Sequence, residues 1–279
     1  MKIYLIFFIA LLTFSFSNSQ SLVEEVSVND LNIGKRIEIK SNILKENRVL
    51  NIYLPQSYET DSSKAYPVIY LLDGSKDEDF IHITGIVQFG SFSWINMIPE
   101  SIVVGIANTD RKKDFTYPSN NKLDQDEFPT SGESEKFIKF LKQEALPFIN
   151  EKYRTTQTKT LIGQSLGGLV GTEILLKTPH IFDNYIIVSP SLWWDDESLL
   201  EEEIADFDSS KQIYIAVGKE GEVMERTAKK LYKKLDDLKM LESKVYFDFL
   251  EDKSHGDALH QAVYNAFELF SNKTGNNNG

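Results

Sequence analysis

The chain has no cysteine among its 279 residues. That excludes disulfides, cysteine metal sites, a thiol nucleophile and a lipid-bearing N-terminal cysteine, so the folded protein must stand on its core. Histidine is scarce: only His82, His180, His255 and His260 are available for imidazole chemistry. Basic residues are outnumbered 30 to 42 by acidic ones, and the formal charge of −12 argues against nucleic acid and anionic membrane surfaces as partners. It says little about substrate. No internal repeat and no linker rich in proline, glycine or serine divides the chain. The apolar run from Ile3 to Leu12 is too short to span a bilayer comfortably.

Met1-Lys2, the apolar run and the polar stretch Ser15 to Ser21 have the shape of a secretory signal peptide, with small residues in Ser17-Asn18-Ser19 placed for a cut before Gln20. The alternative is an N-terminal membrane anchor. The expectation is a signal over residues 1–20, one domain over 21–271, and a polar, aperiodic, disordered tail over 272–279. Cleavage removes Lys2 and leaves the mature chain one unit more acidic. With 41% hydrophobic residues, one large core is within reach.

Lys35 to Lys40 and Arg48 to Leu54 alternate as strands of an antiparallel hairpin would. Tyr66 to Leu72, Ile102 to Ala107, Leu161-Ile162, Tyr185 to Val188, Ile213 to Val217 and Val245 to Leu250 read as buried strands. Amphipathic stretches lie between them, clearest over Glu135 to Ile149 and Arg226 to Leu238. Such alternation predicts an α/β protein with a mostly parallel central sheet and helices on both faces. Three segments break the pattern: Ser75 to Glu100, Asn108 to Ser134 and Ser191 to Asp208. Each follows a predicted strand, which puts it at the carboxyl edge of the sheet, where open α/β sheets bind ligands. They are read as walls of a cleft, the alternative being that they only cover the sheet.

The segment Thr158 to Val170 runs strand, Gly163-Gln164-Ser165-Leu166-Gly167, helix, the order of a nucleophile elbow. Small residues two before and two after the serine let strand and helix pass each other, and Leu166 N–H points toward the oxygen of an attacked carbonyl. The plainer alternative is a tight bend whose serine bonds its own backbone. Ser165 needs a base. His82, His180 and His260 sit in helical or helix-end contexts, whereas His255 lies in a polar loop between the last strand and a helix opening at Ala258. The orienting acid is expected after Ile213 to Val217. Glu220 is preferred there, with Glu222 and Asp252 left open.

Taken in order, Tyr66 to Gly74, His82-Ile83-Thr84-Gly85, Asn108 to Arg111 with Asp114, Gly163 to Gly168, Ser189 to Trp194, Gly218 to Gly221 and Ser254-His255-Gly256 resemble the putative-esterase family of α/β hydrolases, nearest its enterochelin (siderophore) esterase-like branch. The resemblance spans about residues 30 to 270 and implies the α/β-hydrolase fold. It implies a second oxyanion donor at Ser75 N–H, and a substrate pocket lined by His82, Arg111, Trp193 and Trp194. The expected activity is that of a periplasmic or secreted serine esterase with Ser165, His255 and Glu220, no metal or organic cofactor, and a small-molecule or glycan ester as substrate. A strongly anionic ferric trilactone would favour the basic residues Arg111, Lys112, Lys113 and Lys122. Two rivals remain: a carbohydrate esterase acting on feruloyl or acetyl groups, and a binding protein that keeps the fold without turnover.

Overall fold

The computed structural model describes residues 23, 25–205, 211–238 and 243–271; the expected signal peptide and tail lie outside them. All regular elements fall within the unit Ile33–Gly279. Eight strands form one sheet: β1 (Lys35–Lys40), β2 (Asn47–Tyr53), β3 (Tyr66–Leu71), β4 (Ile102–Ile106), β5 (Thr155–Gln164), β6 (Asn184–Val188), β7 (Gln212–Gly218) and β8 (Lys244–Leu250). Their order is β1-β2-β4-β3-β5-β6-β7-β8. The β1/β2 and β2/β4 pairs are antiparallel, and every other pair is parallel.

The central strands read as continuous apolar runs because both faces are covered. Side chains alternate between two cores with a period of two. Tyr70, Leu161, Ile187, Ile213 and Ile215 enter one core, while Ile69, Leu71, Ile162, Ile186, Val188 and Tyr214 enter the other. β5 begins earlier than its apolar pair Leu161-Ile162 suggests, because its first half is partly exposed and takes polar residues.

The helices are α1 (Phe80–Ser91), α2 (Arg111–Phe115), α3 (Lys122–Glu127), α4 (Ser134–Phe140), α5 (Leu146–Lys152), α6 (Leu166–Lys177), α7 (Glu222–Asp236) and α8 (Ala258–Phe270). A π-helical turn over Leu141–Ala145 joins α4 to α5, so the helix expected over 135–149 is one rod with a bulge. Residues of α4, α5, α6 and α7 bury into the first core, and those of α1 and α8 into the second.

Within the stretch Ser75 to Glu100, expected as a cleft wall, Phe80–Ser91 form α1, a helix that covers the sheet. Its Phe80, Ile83 and Val87 are buried in the second core, beside Leu259 and Val263 of α8. The helical or helix-end context expected of His82 is met by this helix, although Gly85 and the β-branched Ile, Thr and Val residues lower its intrinsic propensity. Burial of the three apolar side chains, worth about 1.5–3 kcal/mol each, outweighs the roughly 1 kcal/mol cost of Gly85. Among the described residues no helix is long and apolar enough to cross a membrane.

Candidate active site

The site is assembled at the carboxyl edge of β3, β5, β6 and β7. β5 ends at Gln164, and Ser165 follows with φ 59° and ψ −121°, a conformation that costs a non-glycine residue about 1–3 kcal/mol. The turn is held from three sides. Ser165 N–H donates to the Val188 carbonyl at 3.0 Å, and its own carbonyl accepts from Leu169 N–H at 2.9 Å and Ser191 N–H at 3.1 Å. A Cβ on Gly163 would lie 2.4 Å from the Gly167 carbonyl oxygen, so strand and helix cross here only without a side chain. Leu166 opens α6, which leaves its N–H among the donors that have no partner within the helix.

The loop after β3 runs alongside. Asp73 has φ 54°, and a Cβ on Gly74 would lie 2.3 Å from Gly105 Cα. Arg111 grips Asp73 with a fork, Nε to Oδ1 at 2.6 Å and Nη2 to Oδ2 at 3.0 Å, and also donates from Nη2 to the Gln164 carbonyl at 3.1 Å. Asn108 Nδ2 donates to the same Asp73 Oδ1 at 2.6 Å. Ser75 N–H donates to the Glu78 carboxylate, 3.3 Å from Oε2.

His255 is carried by the loop after β8. Gln164, the residue before Ser165, donates from Nε2 to the His255 carbonyl at 2.5 Å and so ties that loop to the elbow. His255 Nδ1 lies 2.5 Å from Glu220 Oε2; the imidazole is 48% exposed and the carboxylate only 3%. Burial pushes the Glu220 pKa up. Hydrogen bonds from His255, Ser189 and Gly218 N–H outweigh it and hold the carboxyl below its usual range. Of the three acids left open, Glu220 faces the histidine. Glu222 is an exposed first residue of α7, and Asp252 is exposed in the loop. Ser165 Oγ lies 3.3 Å from Ser191 Oγ, and among the described residues no hydrogen bond joins it to His255.

A serine on a strained elbow, two backbone segments clamped together beside it, and a histidine bonded to a buried carboxylate make an arrangement suited to acyl transfer. The family model described as putative esterase matches residues 41–272. The chain belongs to that family. It is 31% identical over 169 residues to the ferri-bacillibactin esterase BesA of Bacillus subtilis (strain 168), covering 56% of this chain and 58% of that protein. The chain thus spans less than two thirds of the length of the curated relatives it matches. Among solved structures it is similar to an IroE-like serine hydrolase from Shewanella oneidensis, with TM-score 0.76 and 30% identity over 85% of this chain and 79% of that one. The BES protein from Bacillus cereus superposes with TM-score 0.75 at 25% identity, covering 89% and 98% of the two chains. The fold is that of the α/β hydrolases.

Other residues that this putative-esterase family member was expected to offer a substrate are placed differently. Trp194 is fully buried, its indole N–H donating to the Tyr117 carbonyl at 2.9 Å and its ring packed edge-on to Phe128, so it has no face to present to a ligand. Trp193 remains partly open, beside Phe128 with ring centroids 6.0 Å apart. His82 lies beside His260 of α8, ring centroids 4.6 Å apart and tilted at 58°, an interhelix contact that leaves His82 exposed. Burial, with His82 alongside, holds the His260 imidazole below its usual range. The basic residues counted toward an anionic ligand are engaged as well: Arg111 with Asp73, Lys113 with Glu46 at 3.4 Å, Lys122 with Asp126 at 2.5 Å, and Lys112 over the Phe128 ring at 4.8 Å. Sequence reasoning passed over Asp73, Ser189 and Ser191 as parts of the site. Serines and aspartates in turns carry no pattern that separates such roles from ordinary turn chemistry.

Proposed function

We propose that the chain is a secreted or periplasmic serine esterase that hydrolyses carboxylic esters through an acyl-enzyme, with siderophore-type esters as its substrate class. Ser165 Oγ attacks the ester carbonyl while His255 Nε2 takes its proton, and the imidazolium is stabilised by Glu220 on Nδ1. The oxyanion is met by Leu166 N–H and by Ser75 N–H once the Glu78 carboxylate gives way. The proton then passes from His255 to the departing alcohol. Water, activated by the same imidazole, attacks the acyl-enzyme and restores Ser165 with release of the acid.

The observation that carries this reading is the 2.5 Å contact between His255 and a buried Glu220, on a loop tied by Gln164 to the strained Ser165 turn. The substrate class rests on the siderophore esterases among the relatives, including one named siderophore enterobactin esterase from Emericella nidulans, 36% identical over 74 residues. It does not rest on charge, since the basic side chains of the cleft segments are already engaged.

The test is hydrolysis of p-nitrophenyl esters, a siderophore trilactone and feruloylated or acetylated sugars by wild type, Ser165→Ala, His255→Ala and the double variant. Each single variant should lose activity by orders of magnitude with circular dichroism unchanged, and the double should be no worse than either. Ser165→Ala within tenfold of wild type sinks the assignment, and turnover confined to sugar esters replaces the substrate class.

A further inference from the structure

Ser189, the first residue beyond β6, is fully buried and has φ 44°, a left-handed conformation that a serine does not adopt without cost. Its surroundings hold it there. Ser189 N–H donates to the Ala216 carbonyl of β7 at 2.7 Å, and Ser189 Oγ donates to Glu220 Oε1 at 2.5 Å. The carboxylate is thereby shared out by oxygen. Oε2 faces the imidazole, while Oε1 takes the Ser189 hydroxyl and, at 2.9 Å, Gly218 N–H.

Glu220 stands on a turn whose backbone is held by Glu225, with Glu220 N–H and Gly221 N–H donating to its Oε1 at 3.1 and 3.0 Å. Gly218 precedes it by two residues, and Gly221, with φ 91°, follows it. The turn itself supplies one donor to the carboxylate, Gly218 N–H, and Ser189 supplies a second from just beyond the adjacent strand, across 31 residues of sequence. We propose that Ser189 is a positioning residue for Glu220, fixing the carboxylate plane so that one oxygen is always presented to His255 Nδ1.

The inference rests on the reading of Ser165, His255 and Glu220 as a catalytic set. It accounts for the strain at position 189, because straightening this backbone would turn the hydroxyl away from the carboxylate. It also bears on the imidazolium formed during the reaction, which a carboxylate no longer held toward Nδ1 stabilises less.

The experiment compares Ser189→Ala, Ser189→Gly and Ser189→Cys in the wild-type background, and Ser189→Ala in the Glu220→Gln background, over a pH series with a p-nitrophenyl ester. Ser189→Ala should lower kcat on the order of tenfold with KM nearly unchanged, and move the acid limb of kcat/KM downward by a few tenths of a pH unit. Ser189→Gly should match it, since glycine relieves the backbone strain and still lacks the hydroxyl. Ser189→Cys, which keeps the volume and a weak donor, should fall between and guards against a folding failure in the other two. In the Glu220→Gln background Ser189→Ala should add less than threefold. Wild-type kcat with an unmoved acid limb in Ser189→Ala overturns the proposal, as does a full tenfold loss that persists without the carboxylate. Glu220→Gln within tenfold of wild type would show instead that the catalytic set itself is wrong, and Ser189 falls with it.

Discussion

The hydroxyls of Ser165 and Ser191 lie 3.3 Å apart, and Ser191 also donates its N–H to the Ser165 carbonyl at 3.1 Å. The nucleophile of the proposed reaction therefore rests on a neighbour from the loop after β6. A long contact between neutral hydroxyls is worth about 1 kcal/mol or less. Ser191→Ala should leave the fold intact and raise kcat/KM by at most about fivefold, because Ser165 Oγ is released toward His255. A drop beyond tenfold would place Ser191 in the chemistry itself.

Glu220 and Glu222 stand two residues apart and differ in surroundings. Glu220→Gln keeps the shape but removes the charge opposite the imidazolium, and kcat should fall by several orders of magnitude, as in the serine protease triad when its acid is replaced by the amide. Glu222 is exposed at the first turn of α7, where a carboxylate is worth on the order of 1 kcal/mol to the helix and nothing to the reaction. Glu222→Gln should thus retain wild-type kcat with a slight loss of Tm. The two variants assayed side by side give opposite results if the acid is correctly placed.

Arg111 holds the loop after β3 to the elbow through its fork on Asp73 and its bond to the Gln164 carbonyl. Lysine keeps the charge but not the fork. Arg111→Lys should lower kcat about tenfold with little change in KM, because the two backbone donors lose their mutual registry, and it should lower Tm by a few degrees. Asp73→Asn should give a similar loss, and the double variant should be less than additive. Full activity in Arg111→Lys would confine this residue to the surface.

Asp79, at the start of α1, has its carboxyl pushed up to about 6 by burial, with the Asp73 and Glu78 charges adding to it. Between the unfolded value near 3.8 and about 6 the native state binds more protons than the unfolded one, so this group makes stability fall as pH rises through that window. Above it the whole cost of the buried charge is present. Asp79→Asn should raise stability at pH 8 by about 1 kcal/mol, allowing for solvent screening of a half-buried group, and change nothing at pH 4. Thermal melts at the two pH values check the sign. An equal effect at both would show that charge is not the cause.

What could be read from the sequence was set by local demands. The Ser165 elbow needs small residues at two fixed offsets between a strand and a helix, and Gly163 and Gly167 state that need within five positions. The central strands declared themselves as apolar runs because both of their faces are buried, and α8 opens at the expected Ala258. Where local demand was weak, the sequence misled or left a choice. The stretch Ser75 to Glu100 reads as a cleft wall, with His82 in a helical or helix-end context, but that its α1 segment covers the sheet follows from packing against the sheet and α8. Trp194 and Trp193 are adjacent and chemically alike, yet one is sealed under Phe128 and the other stays partly open. The choice among Glu220, Glu222 and Asp252 depended on which carboxylate the β7 turn aims at His255, 35 residues from Glu220. The Asp73 and Arg111 fork spans 38 residues, and the Gln164 tether to the His255 loop spans 91. Hydrophobic periodicity encodes which face of an element is buried, and turn residues encode where the chain bends. Neither encodes which side chains from distant turns meet, because that follows from strand order and register, which exist only once the sheet has formed.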